Sequence, residues 1–399
     1  MNRSAPPAAE PLPMERSCPF DPPDAYRRLR ADGPVTRLRL PDGRLGWVVT
    51  GFAEVRALLA DQRFSARNDR LVPPVPTEMH NPLPPEPGVF NKMDPPDHAR
   101  YRRLLAGHFT VRRSRELTDL AERITGEQID ALLAAGSPAD LVEHWADPIA
   151  ARLICAWLGI EESERPLLQH HLLPFTRLNT PLDRCHQSLR VLNRTATALV
   201  ARKADEPAAD LVSALGSTGE LEPTELVNIT LLLLSGGVDT TANLLALGVY
   251  ALLEHPEQLA RLRAEPALID GAVEELTRYL TISHLGASRS ALCDVELGGE
   301  LIQEGEIVVA ALPAANRDPE RFPDPDALDI GRADLSHLAF GHGVHQCLGQ
   351  HFARMTLRVA YRELLTRLPT LRLAATADQI RMRGEMIHYG VHQLPVAWE

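Results

Sequence analysis

The chain has 399 residues, 44% hydrophobic and 24% charged, with a net charge of −11. That balance suits a soluble globular protein of one large domain or two ordinary ones, and the acidic excess argues against general nucleic-acid binding. Five scattered cysteines (Cys18, Cys155, Cys185, Cys293 and Cys347) show no CxxC spacing, which fits a reducing compartment and offers no disulfide framework.

Residues 1–23 are rich in proline, alanine and charge and have no apolar run, so neither a signal peptide nor a membrane anchor is expected. They read as a flexible segment ahead of one domain over 24–399, in a cytoplasmic protein. Asp24–Ala31 has the pattern of a short helix. Val35–Leu40 and Leu45–Thr50 flank Pro41-Asp42-Gly43 as a hairpin, and Phe52–Leu59 returns to helical spacing. The prolines between Leu71 and Phe90 exclude regular structure, leaving a long loop that is either disordered or a functional lid. Asp94-Pro95-Pro96-Asp97-His98 reads as a helix start with Asp94 as N-cap, and His98 and Arg102 share one face of that helix.

Helical patterns follow over Glu116–Leu133, Leu141–Leu158, Glu164–Phe175 and Asp183–Ala204. Leu226–Leu253 is the most apolar stretch and long enough to cross a bilayer. An aspartate at a bilayer midplane costs roughly 2.5–3.5 kcal/mol, however, and Asp239 lies at its centre. It therefore reads as a helix through the middle of a large core. Gly236 and Gly237 weaken that helix, and the Thr240 hydroxyl can bond the Gly236 carbonyl, so a local bulge facing a cavity is expected. Glu275 and Arg278 are three apart on a further helix. Strand signals return at Val295–Leu297 and Ile307–Leu312.

The run Phe340-Gly341-His342-Gly343-Val344-His345-Gln346-Cys347-Leu348-Gly349 precedes an apolar helical pattern through Phe352, Met355, Leu357 and Val359. Glycines there let the backbone come close to a flat ligand, and a helix N-terminus favours a thiolate. By itself Cys347 could be a small buried hydrophobe, or part of a zinc site with His342 and His345.

The whole run resembles the haem-binding signature of the cytochrome P-450 superfamily, in which the cysteine is the axial iron ligand. Gly-Gly-Val-Asp-Thr-Thr at 236–241, Glu-x-x-Arg at Glu275 and Arg278, and His-x-x-x-Arg at His98 and Arg102 match further motifs of that family, in order. The resemblance spans almost the whole chain and is nearest to soluble actinobacterial enzymes of secondary metabolism. It implies a mainly α fold with small β-sheets, in which a long central helix lies over haem b. It also implies that Cys347 ligates the iron and that Phe340, Gly349 and Gly237 adjoin the haem, with His98, Arg102, Arg289 and His345 binding its propionates. Asp239 and Thr240 occupy the acid–alcohol positions that deliver protons to oxygen, while Glu275, Arg278 and Arg332 are structural. The segment Leu71–Phe90 becomes a lid over the substrate pocket.

The implied function is insertion of one atom of O2 into a large, mostly apolar small molecule, with a macrolide or similar polyketide expected. Aromatic residues are 5% of the chain, so a roomy aliphatic pocket is expected. Asn228, Leu232, Gly236, Leu285, Ile387 and His388 are its expected contacts, beside Tyr389. Electrons are expected from NAD(P)H through a ferredoxin reductase and an acidic ferredoxin that docks on Arg103, Arg112, Arg113, Arg354 and Arg358. The protein is expected to act as a monomer. The rival reading is a haem-thiolate protein that binds a ligand or isomerises a substrate without oxygenating it.

Overall fold

In the computed structural model, which describes residues 9–78 and 82–399, everything is arranged about the most apolar stretch. Pro223–Glu254 is one helix of 32 residues. Glu222 and Glu225 cap it reciprocally, and Pro223 takes the first helical position, where no N–H is needed. Every residue from Thr241 to Leu252 is buried, as a helix apolar on all sides requires. By length and composition it could span a membrane, but its neighbours here are the helices Asp147–Leu158, Leu182–Asp205 and Gln350–Arg367. Asp147–Leu158 approaches so closely that a Cβ on Gly237 would run into Ile154. Tyr361, fully buried, donates to the Leu244 carbonyl at 2.6 Å and ties Gln350–Arg367 to the same helix.

The expected bulge does not form. The Thr240 hydroxyl does donate to the Gly236 carbonyl at 2.5 Å, yet the helix runs on unbroken. A carbonyl oxygen has two lone pairs, so it can accept the hydroxyl without giving up its backbone partner.

The small β part is a five-stranded sheet in the order Val35–Arg39, Leu45–Val49, Ile307–Ala310, Ala287–Ala291, Phe64–Ser65. The hairpin pairs Val35 with Val49 through Arg39 with Leu45. Ile307–Ala310 is buried at every position, which explains its uninterrupted apolar run. It ends earlier than its pattern predicts, because Leu312 opens a short helix with Pro313 in its first turn. A second sheet joins Ala139–Asp140 and Arg372–Leu373 to Pro395–Ala397.

Two expectations about the N-terminal half need correction. Residues 9–23 are not a loose leader: Leu12 and Phe20 are buried, Glu10 bridges to Leu38, and the Arg16 guanidinium lies 3.8 Å over the Tyr389 ring. Residues 1–8 lie outside the described residues. Asp94 is not a side-chain cap either. Its carbonyl accepts from the His98 N–H, but its carboxylate accepts from Ser65 Oγ and the Ala66 N–H, fixing the helix Asp97–Ala106 to the sheet. With Pro95 and Pro96 following, few N–H groups remain there for it to cap.

Between Arg70 and Phe90 no helix or strand forms among the described residues; the part of this segment at 79–81 lies outside them. The segment is latched on either side of that part. Thr77 Oγ1 donates to the Leu178 carbonyl at 2.8 Å, and Asn228 Nδ2 donates to the Pro87 carbonyl at 2.9 Å.

Candidate active site

The turn holding Cys347 is closed by its own backbone, since the Cys347 N–H donates to the Phe340 carbonyl at 2.8 Å. Gly343 has a φ of 71°, and a Cβ there would run into the Leu59 carbonyl. Its close approach thus serves packing against the helix Phe52–Ala60 and not a ligand. The sulfur opens on one side to a cavity of about 420 Å³ and is enclosed by protein elsewhere. Burial pushes the Cys347 thiol up, and the Gly349 N–H, Arg102 and Arg354 only partly offset this. The helix start therefore does not by itself make a thiolate. A bound metal cation would, since a coordinating thiol is deprotonated outright.

Across the cavity from this turn runs the central helix, which contributes Leu232, Gly236, Gly237, Thr240 and Leu244, with Ile154 and Phe90 completing an apolar wall. At its rim lies a bank of bases. Arg289 and His98 are buried, the His98 and His345 rings are 4.1 Å apart, and Arg102 and Lys92 adjoin them. Burial, then Arg102, pushes His98 down to about 4, and burial, then Arg289, pushes His345 down to about 3. Asp94 lends some negative charge but is already bonded to Ser65 and Ala66. No ion pair to a carboxylate is formed by Lys92, His98, Arg102, Arg289 or His345 among the described residues. A soft sulfur on one wall and unpaired bases at the rim fit an iron porphyrin, whose metal takes a thiolate and whose propionates need cationic donors.

Asp239 faces away from this wall, into a polar knot. Its Oδ1 accepts from Arg383 Nη2 at 2.8 Å and Asn243 Nδ2 at 3.1 Å, and its Oδ2 lies 2.7 Å from His388 Nδ1. Arg383 also donates to Asn243 Oδ1 at 2.8 Å. Burial alone would raise the Asp239 carboxyl, but His388 and then Arg383 outweigh it and hold it below the usual carboxylate range. Asp147, behind this knot, is pushed up to about 6 by burial, against the pull of Arg383.

Glu275 and Arg278 are fully buried and joined at 2.7 and 2.8 Å, with Arg332 Nε 3.2 Å from both Glu275 oxygens. Both arginines also donate to the carbonyl of Ala327, binding the helix Ile269–Leu280 to the loop that leads toward Cys347.

Phe340, Gly349 and His388 line the cavity with Cys347, Arg289 and His345. Three expected substrate contacts are not on its wall. Asn228 is committed to the Pro87 carbonyl, while Leu285 and Ile387 join an apolar cluster with Leu71, Val72 and Val309 on the far side of the sheet segment. Ile282 and Ser283 stand where Leu285 was expected. Of the expected docking arginines, Arg354 is half-buried, bonded to Glu274 and 4.4 Å over the Phe340 ring, so it belongs to the turn. Arg358 pairs with Asp270 and the 86% exposed Arg112 with Glu116.

Lys92, Asn243 and Arg383 were missed. Lys92 lies just ahead of Asp94 and His98 in one short run. The signal for Arg383 was Asp239 itself, because a carboxylate inside an apolar helix demands a cationic partner.

Known proteins resemble this chain over nearly its whole length. The family described as Cytochrome P450 matches residues 183–373. The chain is 46% identical over 380 residues to Cytochrome P450 105C1 of a Streptomyces species, covering 95% of this chain and 96% of that one. It is 37% identical over 395 residues to the 20-oxo-5-O-mycaminosyltylactone 23-monooxygenase of Streptomyces fradiae, covering 97% and 92%. The crystal structure of CYP105P1 in complex with filipin I superimposes with a TM-score of 0.92 at 40% identity, over 98% of this chain and 99% of that chain.

Proposed function

This chain belongs to the cytochrome P450 family of monooxygenases, and on that premise we propose that it inserts one atom of O2 into a large, mostly apolar secondary metabolite of macrolide or polyketide type. The observation that carries the reading is that Cys347 and Thr240 face one largely apolar cavity. Haem, when bound, supplies reductive activation of O2. Cys347 would be its sulfur ligand and would supply electron density to the iron. Lys92, His98, Arg102, Arg289 and His345 would hold its carboxylates. Leu232, Leu244, Ile154 and Phe90 keep bulk water from the reacting side, which strengthens each polar contact left there. Relatives named for a mycaminosyltylactone and solved with filipin I support a large ligand. The two latches tie the described parts of the proline-rich segment to Leu178 and to the central helix. The test is to titrate a panel from fatty acids to macrolides and follow the low-to-high spin shift. Macrolide-sized ligands should bind tightest; a response to small fatty acids or monoterpenes alone would overturn the substrate class.

Thr240 donates its proton to the Gly236 carbonyl, so its oxygen is left as an acceptor that can hold a proton-bearing water in the cavity. Thr240→Ala should therefore uncouple the cycle. Reductant and oxygen consumption should continue while hydrogen peroxide rises and product falls severalfold. Wild-type coupling in that variant would remove Thr240 from proton delivery.

Electrons arrive in this reading from NAD(P)H through a ferredoxin reductase and an acidic ferredoxin. With Arg354 drawn into the turn, docking falls to Arg103, Arg112, Arg113 and Arg358, of which Arg112 and Arg113 share Glu116 and Arg358 pairs with Asp270 at the surface. Arg112→Glu should slow reduction roughly tenfold at low salt, and the gap should close as ionic strength rises. A rate indifferent to both changes would place docking elsewhere.

A further inference from the structure

We propose that His388, and not Asp239 directly, is the group that exchanges protons with the cavity, while Asp239 orients the imidazole and stabilises its charge. The inference rests on the monooxygenase reading and names a further proton-transfer residue for it. Its basis is a division of labour within one hydrogen-bonded knot. Asp239 is absent from the cavity wall, whereas His388 and Thr240 are both on it. His388 Nδ1 is 2.7 Å from Asp239 Oδ2, and Nε2 has no hydrogen-bond partner among the described residues. The side chain of Asp239 is 10% exposed and that of His388 28%.

The other donors to Asp239 cannot do this work. Arg383 is buried and does not give up its proton near neutrality, and the Asn243 amide does not titrate. An anionic carboxylate on Nδ1 fixes that nitrogen as the N–H, leaving Nε2 to take up and release protons. Asp239 itself is held in its anionic form by these donors, which makes it a poor proton store but a good counter-ion.

The transfer balances simply. The imidazolium gives its Nε2 proton to a cavity water, which passes one of its own protons onward to the oxygen being reduced. The ring is left neutral with Nδ1–H still on Asp239, and a proton from solvent water restores Nε2–H. No oxidant or reductant enters this step.

The turn that carries the ring is held firmly. His388 bridges Ser283, the Tyr389 N–H donates to the Ile282 carbonyl at 2.9 Å, and a Cβ on Gly390 would run into the Asn243 amide. The charged and titratable groups around His388 are Asp239 on the central helix, Arg383 on its own segment with Asp147 behind it, and His284 on the segment Ile282–His284. Burial, then Arg16, pushes His284 down to about 4.

His388→Asn separates this role from mere structure, because the asparagine amide can still donate to Asp239 from the position of Nδ1 but has no proton to release. The variant should fold, keep the carbon monoxide spectrum and bind substrate within twofold of wild type. Its kcat should fall at least about tenfold, below the usual general acid–base contribution because water can partly substitute. The peroxide share should rise. Asp239→Asn should cost a similar factor, and the double variant should be no worse than the weaker single, since the pair acts as a unit.

Wild-type kcat and coupling in His388→Asn would overturn the proposal, and if the substrate Kd alone rises, His388 is a ligand contact. Additive losses in the double variant would also overturn it. A nitrogen NMR titration of the diamagnetic reduced carbon monoxide form needs no substrate. Nδ1 should carry its proton throughout; an Nδ1 that loses its proton first would sink the inference. Failure of the monooxygenase reading looks different, as a wild-type protein with this Nδ1 proton in place that forms no oxygenated product.

Discussion

Cys347→Ser should abolish the red-shifted Soret band of the reduced carbon monoxide complex and remove essentially all turnover, while leaving a folded protein. The fold survives because the turn is closed by the Cys347 N–H on the Phe340 carbonyl, which needs no side chain. The sulfur faces the cavity, so a hydroxyl in its place meets no apolar contact that it would spoil. What is lost is electron donation, which a hydroxyl supplies far less well than a thiolate. The exposed Cys293 serves as control, and Cys293→Ser should leave both band and activity unchanged. An unchanged band in Cys347→Ser would mean that another side chain holds the iron.

Glu275→Ala should have the largest effect on folding. The carboxylate is fully buried and accepts from Arg278 twice, from Arg332, and from the Asp329 N–H at 3.0 Å. Removing it strands Arg278, itself fully buried, without a counter-ion. Breaking a buried pair by deleting one partner costs roughly 3–5 kcal/mol, against a total stability of about 5–15 kcal/mol for a typical domain. The variant should accumulate as aggregate or apoprotein and unfold at markedly lower urea concentration. Glu275→Gln, which keeps shape and acceptor, should be milder. Urea midpoints equal to wild type for Glu275→Ala would deny the triad its structural role.

The long helices were legible because their apolar period is strong, and the central one because Leu226–Leu253 is apolar all round. Cys347, Glu275 and Thr240 were legible because their spacing is tied to chemistry within a few residues. Strands two residues long, such as Ala139–Asp140 and Arg372–Leu373, carry too little alternation to be read. Nor could the partners of Asp239 be read, since Arg383 and His388 lie 144 and 149 residues away in sequence. Asn228 was read as facing a ligand from its place on the helix. The chain that returns over it, with Gly88 against the Glu225 carbonyl, turns that amide into a latch instead. Leu285 shows the same limit: two residues past Ser283, in the turn before the strand Ala287–Ala291, its side chain joins another cluster.

The most direct test is turnover of the tightest-binding panel compound under oxygen-18 gas in ordinary water, with ferredoxin and its reductase present. The account predicts a product heavier by one labelled oxygen atom, with the second atom of O2 recovered as labelled water. A product whose new oxygen comes from the solvent, or a ligand returned unchanged or merely rearranged, would contradict it.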